Sequence, residues 1–342
     1  MNATSPTPAG WPIVGHDWAV ALLTRAVAGA QPSHAYLFTG PEGVGKGALA
    51  RIFTRALFCL RPEARPCDQC RACQLVAHEN HPDFLLLDLE AQRRLLNERD
   101  LASVLKVETM RQLQNDLTRR PVESRWRVVL LPEAERLTTA AANAFLKTLE
   151  EPPAHVVLLL TARDKDLLLP TILSRCQLLP LRPVPTGQIA AFLQDRWGLS
   201  AEEAAIVARL SGGRIGWAVQ AATVPAVLEA RRTAVEALKT ALPATRTGRL
   251  ALAQTLAKTN DPTVLSIWAS WWRDVLLLKY GAGDALMNID LQPALEEIAS
   301  RLAEPEIRRA LHVLQRMQHL LQETNVNVQL AWEVLLLALP RF

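Results

Sequence analysis

Little in this sequence points to a membrane or to an oxidising compartment. No apolar run approaches the roughly 18 residues that a membrane span requires. The N-terminal stretch Met1 to Gly10 is rich in Pro, Ser and Thr and lacks a basic segment followed by an apolar core. Residues 1–12 therefore read as a loose tail rather than a secretory signal, and a cytoplasmic location is expected. Charge of one sign is lacking as well. A net charge of +4 over 342 residues permits contact with nucleic acid but does not argue for it, since a nucleic-acid reader gathers its basic residues on one face. Aromatics are scarce apart from nine Trp, and there is no internal repeat. Cysteine is limited to five positions, yet four of them fall between Cys59 and Cys73. In a compartment that keeps thiols reduced, such a cluster points to a metal before a disulfide.

What is present is an ordinary soluble composition, 49% hydrophobic and 21% charged, on a chain too long for one hydrophobic core, so two or three domains are expected. Short apolar runs rich in β-formers occur at His34–Thr39, Asp83–Asp88, Arg127–Leu131 and His155–Thr161. Helical patterns lie between them, at Lys46–Leu60, Val107–Arg119 and Thr138–Leu149, the last with Ala142, Phe145, Leu146 and Leu149 on one face. Unbroken apolar strands alternating with helices predict a parallel sheet covered on both faces, an α/β fold. Prolines break the pattern from Leu179 to Pro185, and everything beyond is helical. Gln188–Trp197, Ala201–Leu210 and Ile215–Ala221 suit a small lid domain, and a second change comes near Val224 and Pro225. Further on, Val264, Trp268, Trp271 and Val275 share one helical face, as do Ile307, Leu311, Leu314 and Leu321. Such stripes are expected to pack as core.

Between the first strand and its helix lies Gly40-Pro-Glu-Gly-Val-Gly-Lys46, a G-x-x-x-x-G-K phosphate-binding loop in the required context. Gly40, Gly43 and Gly45 let the backbone N–H groups face an anion at a helix N-terminus, and Lys46 reaches the terminal phosphates. The next position normally carries the Ser or Thr hydroxyl that holds Mg²⁺, and here it is Gly47. The second landmark of such sites is an apolar strand ending in Asp-Glu. Here the strand Val128–Leu131 runs into Pro132-Glu133-Ala134-Glu135. Proline has no side-chain oxygen to offer a metal. Glu133 falls at the water-activating position, as a vestige of it, although it and Glu135 read more readily as solvated acids at a helix start. With two magnesium ligands absent, ATP or ADP binding is expected to be weak, and hydrolysis by the chain alone inefficient.

The cysteines Cys59, Cys67, Cys70 and Cys73 follow the helix over Lys46–Leu60 with a C-x-x-C-x-x-C run. That spacing can bring four thiolates around one tetrahedral Zn²⁺, and an all-sulfur set with no open position is structural. His78 and His81 read as surface residues, and Cys176 stands apart.

Longer strings carry a resemblance. Asn143-Ala-Phe-Leu-Lys-Thr-Leu-Glu-Glu-Pro-Pro153, Thr171-Ile-Leu-Ser-Arg-Cys176, Ile13-Val-Gly-His16 and Ser33-His34-Ala35 are similar to segments of the AAA+ clamp-loader subunits of bacterial DNA polymerase III. The resemblance is dense over about the first 180 residues and rests only on helical character beyond, where Trp271-Trp-Arg-Asp274 is the best local echo. It implies a P-loop domain at 13–181 with a zinc module at 59–73, a helical lid at 182–223 and a helical collar at 224–342 that assembles a ring. The ring opens a sliding clamp and places it on primed DNA during replication. The resemblance further implies that Arg175 is a finger acting in trans on a neighbour's ATP, that Thr161 occupies the first sensor position and that Arg214 is the lid-domain sensor. Lacking both magnesium ligands while keeping the S-R-C arginine is the delta-prime pattern, with gamma/tau and delta subunits as partners in the polymerase holoenzyme. The alternative is an ATP-hydrolysing motor subunit of the gamma/tau type. An unrelated AAA+ repair factor is disfavoured by the cysteine cluster.

Overall fold

The computed structural model describes residues 11–100, 102–259, 261–323 and 326–341. The expected tail therefore lies outside the described residues except for Trp11 and Pro12, and Trp11 is buried, packed on Phe53 with its Nε1 donating to Arg65 O at 2.9 Å. The chain divides into two compact units, residues 11–188 with Arg214–Gly216, and Ile189–Gly213 with Trp217 onward.

The first unit runs α1 (Asp17–Ala28), β1 (Ala35–Thr39), α2 (Lys46–Phe58), α3 (Arg71–Ala77), β2 (Phe84–Leu86), α4 (Leu89–Leu96), α5 (Val107–Leu117), β3 (Arg127–Leu131), α6 (Thr139–Glu150), β4 (Val156–Ala162), α7 (Pro170–Leu173) and β5 (Gln177–Pro180). All strands pair in parallel in the order β2-β3-β4-β1-β5. Alternate residues of each strand enter different cores. Tyr36, Phe38, Val128, Leu130, Val157 and Leu159 pack with α1 and α2. Ala35, Leu37, Val129, Leu131, Leu158 and Leu160 pack with α5 and α6. A strand buried on both sides has no polar face to show, which is why these runs read as continuous apolar stretches.

The sequence pattern missed β5, because Pro180 looks like a breaker. The strand lies at the sheet edge, where a missing N–H costs no ladder bond. The expected strand at Asp83–Asp88 shrinks to Phe84–Leu86, although Asp83 O still accepts the Val128 N–H of β3 at 2.9 Å, because the side chain of Asp83 is committed to the loop before β3. Its buried carboxylate accepts N–H groups from Val122, Glu123 and Ser124 at 2.6, 2.8 and 2.8 Å, fixing the loop that leads into β3. Burial alone would raise this carboxyl, but the three backbone donors outweigh it and hold it below the usual carboxylate range.

The second unit is helical: α8 (Thr186–Trp197, crossing the boundary), α9 (Ala201–Ser211), α10 (Ile215–Thr223, whose first residues belong to the first unit), α11 (Pro225–Ala241), α12 (Arg246–Thr259), α13 (Thr263–Lys279), α14 (Gln292–Arg301), α15 (Glu304–Glu323) and α16 (Val328–Ala338). A capping box between Ser200 and Glu203 starts α9, satisfying N–H groups that the first turn leaves open. The stripes expected from sequence pack into the core, with Leu311 and Leu321 only partly buried at its edge. Trp268, Trp271, Val275, Ile307 and Leu314 belong to one core, and the Trp268 and Trp332 rings meet edge to face at 5.6 Å. Within it Arg249 is 4% exposed and donates five hydrogen bonds, to Ala241 O, Leu242 O, Leu336 O, Leu339 O and Pro340 O. These carbonyls close α11 and α16, so one guanidinium caps two helix C-termini and its charge sits at the negative ends of both dipoles.

Candidate nucleotide and metal sites

β1, β3 and β4 end on the same edge of the sheet, where ligands of open α/β folds gather. The loop after β1 begins at Gly40, whose N–H is shared between Ala162 O and Arg163 O at 3.3 and 3.2 Å. A Cβ at Gly40 would lie 2.2 Å from Leu181 O, and φ is +140° there, so only glycine fits this closely packed start. Gly43 O accepts the Gly216 N–H at 2.7 Å. His16 is buried, and its Nε2 donates to Val44 O at 2.9 Å, bracing the loop from behind. Burial holds this imidazole below its ordinary value, so near neutral pH it serves as a neutral donor. The sequence offered His16 only as part of a family string.

Lys46 opens α2 with Gly45 at its N-cap, and its Nζ donates to Gly40 O and Pro41 O at 2.6 and 2.9 Å. Burial lowers this ammonium, while the carboxylates of Glu135, Glu42 and Glu133 act in the opposite sense. Gly47 leaves room in the first turn of α2, where an added Cβ would meet only the end of the Arg51 side chain, at 3.0 Å.

After β3, Glu133 adopts a left-handed backbone conformation, φ +48°. Its N–H donates to Thr161 Oγ1 at 3.2 Å, and its carboxylate receives Arg136 Nε at 2.7 Å. Glu133 is thus engaged by its own turn. Glu135 goes the other way: its side chain is only 14% exposed, its Oε1 accepts the Arg163 N–H at 3.1 Å, and its Oε2 has no hydrogen-bond partner among the described residues. Of the two acids following Pro132, Glu135 is the more enclosed and the first of the carboxylates acting on Lys46. Sequence position favoured the other. The structure thus brings Gly40, Gly43, Gly45, Lys46, Glu133 and Thr161 to one edge, with Arg214 near enough to Glu42 to feel its charge.

Arg175 lies elsewhere, after α7. Its Nη1 donates to Thr171 O and Ser174 Oγ at 3.0 and 3.1 Å, and its Nη2 pairs with Glu150 at 2.8 Å. Cys176 beside it is pushed up to about 12 by burial, which keeps it an inert thiol.

The four clustered cysteines do converge. Cys59 follows the last residue of α2, Cys70 caps α3 and Cys73 lies within it, and all four sulfurs lie within 4.8 Å of one another. In a tetrahedron with Zn–S bonds of about 2.3 Å the sulfurs stand about 3.8 Å apart, so this cluster fits a metal ion with little adjustment. The Cys70 N–H points at Cys67 Sγ at 3.3 Å, and the hydrogen bond from the Gln69 backbone leads those that pull the Cys67 thiol down to about 6. His81 corrects the sequence expectation. It is buried, stacks on Phe58 at 4.4 Å and accepts the Asp83 N–H through Nδ1, while His78 is exposed as expected.

A family model described as DNA polymerase III, delta subunit matches residues 15–185, and one for the C terminal of that subunit matches residues 225–340. The DNA polymerase III subunit delta' of Pseudomonas aeruginosa is 32% identical over 332 residues, which cover 94% of this chain and 96% of that protein. The chain belongs to the DNA polymerase III delta' family. The delta' subunit of Bacillus subtilis is 29% identical, over 93% of this chain and 94% of that protein. The gamma/tau subunit of Mycobacterium tuberculosis is 35% identical, but over 59% of this chain and 34% of that protein. Likeness to this gamma/tau subunit thus stops part-way, whereas likeness to delta' runs nearly end to end. Among the described residues no helix is long and apolar enough to cross a membrane.

Proposed function

We propose that this chain is a ring subunit that serves its neighbours' ATP sites and does not turn over ATP itself. It would act with gamma/tau and delta subunits in the DNA polymerase III clamp loader, in the cytoplasm, to place a sliding clamp on primed DNA. The carrying observation is the pairing of near full-length delta' identity with the loss of oxygen at Gly47 and Pro132. In this proposal residues 13–181 form the AAA+ domain, 182–223 the lid and 224–342 the collar. Gly40, Gly43, Gly45, Lys46, Gly47, Thr161 and Arg214 line a weak ATP or ADP site, Glu133 is vestigial, and Cys59, Cys67, Cys70 and Cys73 hold a structural zinc ion. Arg175 acts in trans, exchanging its contacts with Glu150 and Thr171 for a neighbour's phosphates.

The test is reconstitution of rings with wild-type subunit or Arg175→Ala. A guanidinium supplied in trans is worth roughly 10³ to 10⁵ in rate at one site in the best-studied nucleotide hydrolases. Since other sites keep their own fingers, DNA- and clamp-stimulated ATPase should fall in part, and clamp loading more. Rings that assemble with the variant and lose neither rate would refute the trans role. Robust ATP turnover by the isolated chain would restore the motor-subunit alternative.

A further inference from the structure

The gap between the phosphate loop and the end of β3 contains a cation supplied by the chain itself. Arg163 is the first residue after β4. Its backbone is fixed on two sides: Arg163 O accepts the Gly40 N–H at 3.2 Å, and Arg163 N donates to Glu135 Oε1 at 3.1 Å. Its head group is not fixed. Nη2 lies 3.5 Å from Glu42 Oε2 at the tip of the loop and 3.8 Å from Glu133 Oε1, and Nε lies 3.9 Å from Glu135 Oε1. All three separations exceed the roughly 2.7–2.9 Å of a charge-assisted hydrogen bond. The guanidinium is therefore held near the site by its backbone and shared loosely among carboxylates on both walls.

The charges around it favour an anion. Glu133 is already matched by Arg136 at 2.7 Å. Glu42 and Glu135 then face Lys46 and Arg163, and Arg214 is near enough to feel Glu42, so the carboxylates do not outweigh the cations. No side-chain oxygen stands at Gly47 or Pro132, the two positions from which such sites hold Mg²⁺. We propose that Arg163 takes the place of the divalent cation in this site, so that the loop binds a nucleoside di- or triphosphate without magnesium. The inference rests on the loop being a nucleotide site.

The physical case is one of substitution. Mg²⁺ in these sites neutralises phosphate oxygens and is itself anchored by a hydroxyl and a carboxylate. A planar guanidinium performs the first task, meeting two phosphate oxygens at once, and needs no anchor because it is covalently attached. A nucleotide arriving with its own Mg²⁺ finds no oxygen at Gly47 or Pro132, the two usual anchoring positions, and a cation already beside the carboxylates. Arg163 would exchange three long carboxylate contacts for shorter phosphate ones, and Lys46 would leave Gly40 O and Pro41 O in the same step. Such a site retains a nucleotide without an ion positioned for hydrolysis.

Binding of ADP and of ATP to the full chain is measured by calorimetry in EDTA and in excess Mg²⁺, for wild type, Arg163→Ala and Lys46→Ala. The wild type should bind in EDTA at least as tightly as in Mg²⁺, and Arg163→Ala should weaken binding in EDTA by about ten-fold or more. An unchanged melting temperature of Arg163→Ala is expected, because the side chain is 48% exposed and its pairs are long. Binding only in Mg²⁺, lost in Lys46→Ala, would overturn the role of Arg163 and leave the nucleotide site standing. Tighter binding by Arg163→Ala would likewise overturn it, making the arginine a plug. No binding by the wild type in either condition would remove the nucleotide site and the inference together.

Discussion

Arg249 in the helical unit and Arg163 beside the phosphate loop are the same residue in opposite states. Arg249 is buried, and its guanidinium donors reach five backbone carbonyls in and just beyond the last turns of α11 and α16. Arg163 is half exposed, and the carboxylates near it belong to flexible side chains at 3.5 to 3.9 Å. The first arrangement spends every donor on the fold and leaves nothing for a ligand. The second keeps its hydrogen-bonding capacity in reserve. A charge that holds structure is thus recognised by saturation with backbone partners, and one available for binding by loose, replaceable ones.

The cysteine cluster gives the sharpest test of that distinction, as the first unit's fully committed site. Cys70→Ser should abolish stoichiometric zinc, about one ion per chain in the wild type, and destabilise the first unit by several kcal/mol, a fall of roughly 10 °C or more in its melting midpoint. Metal analysis and thermal unfolding check this. A wild-type protein that is folded and metal-free would break it. Next, Arg249→Met removes the cap of two helices and strands five carbonyls in the core, at a cost of about 3–5 kcal/mol. Denaturant unfolding should show the loss in the helical unit, with the zinc content unchanged.

Asp83 supplies the intermediate case. Its folded value is depressed, so the stability it contributes is present above the unfolded carboxyl value near 4 and is lost as pH falls through the lower folded value. Asp83→Asn should therefore cost about 2 kcal/mol at pH 7, with the gap between variant and wild type closing in acid below about pH 4. A gap independent of pH would mean that shape rather than charge holds the 122–124 turn. The smallest effect belongs to Glu133→Gln. Its ion pairs are exposed, so its stability should change by less than about 0.5 kcal/mol. If Glu133 is vestigial, the ATPase of reconstituted rings should not change either.

The cysteine site was legible because its ligands lie within fifteen residues of one another along the chain and the helix end that brings Cys59 back is itself local. The glycine turn leading into α2 at Lys46 was legible for the same reason. Which acid enters the gap was not. Glu133 matched by position, but its carboxylate is held by Arg136 at 2.7 Å, while the more enclosed Glu135 accepts the Arg163 N–H and leads the carboxylates acting on Lys46. His81 looked like a surface residue because nothing nearby in sequence shows that Phe58 will cover it. β5 was hidden by Pro180, whose tolerance depends on an edge position that only the strand order reveals.

The sequence by itself determined what repeats or clusters over short distances: apolar strands too uniform to be half exposed, helical stripes around Trp268 and Leu314, a glycine loop ending in Lys46, and four cysteines on a C-x-x-C-x-x-C frame. Local periodicity and spacing fix these because backbone geometry is set by neighbours a few residues away. Tertiary structure alone decided the roles of the isolated charges. Arg163, Glu135 and Arg249 carry no pattern, and each has partners that are distant along the chain, 28 residues for the Arg163–Glu135 pair and up to 91 for Arg249. Electrostatic partners are chosen by distance in space, which the chain settles only when the sheet and the helical core have closed.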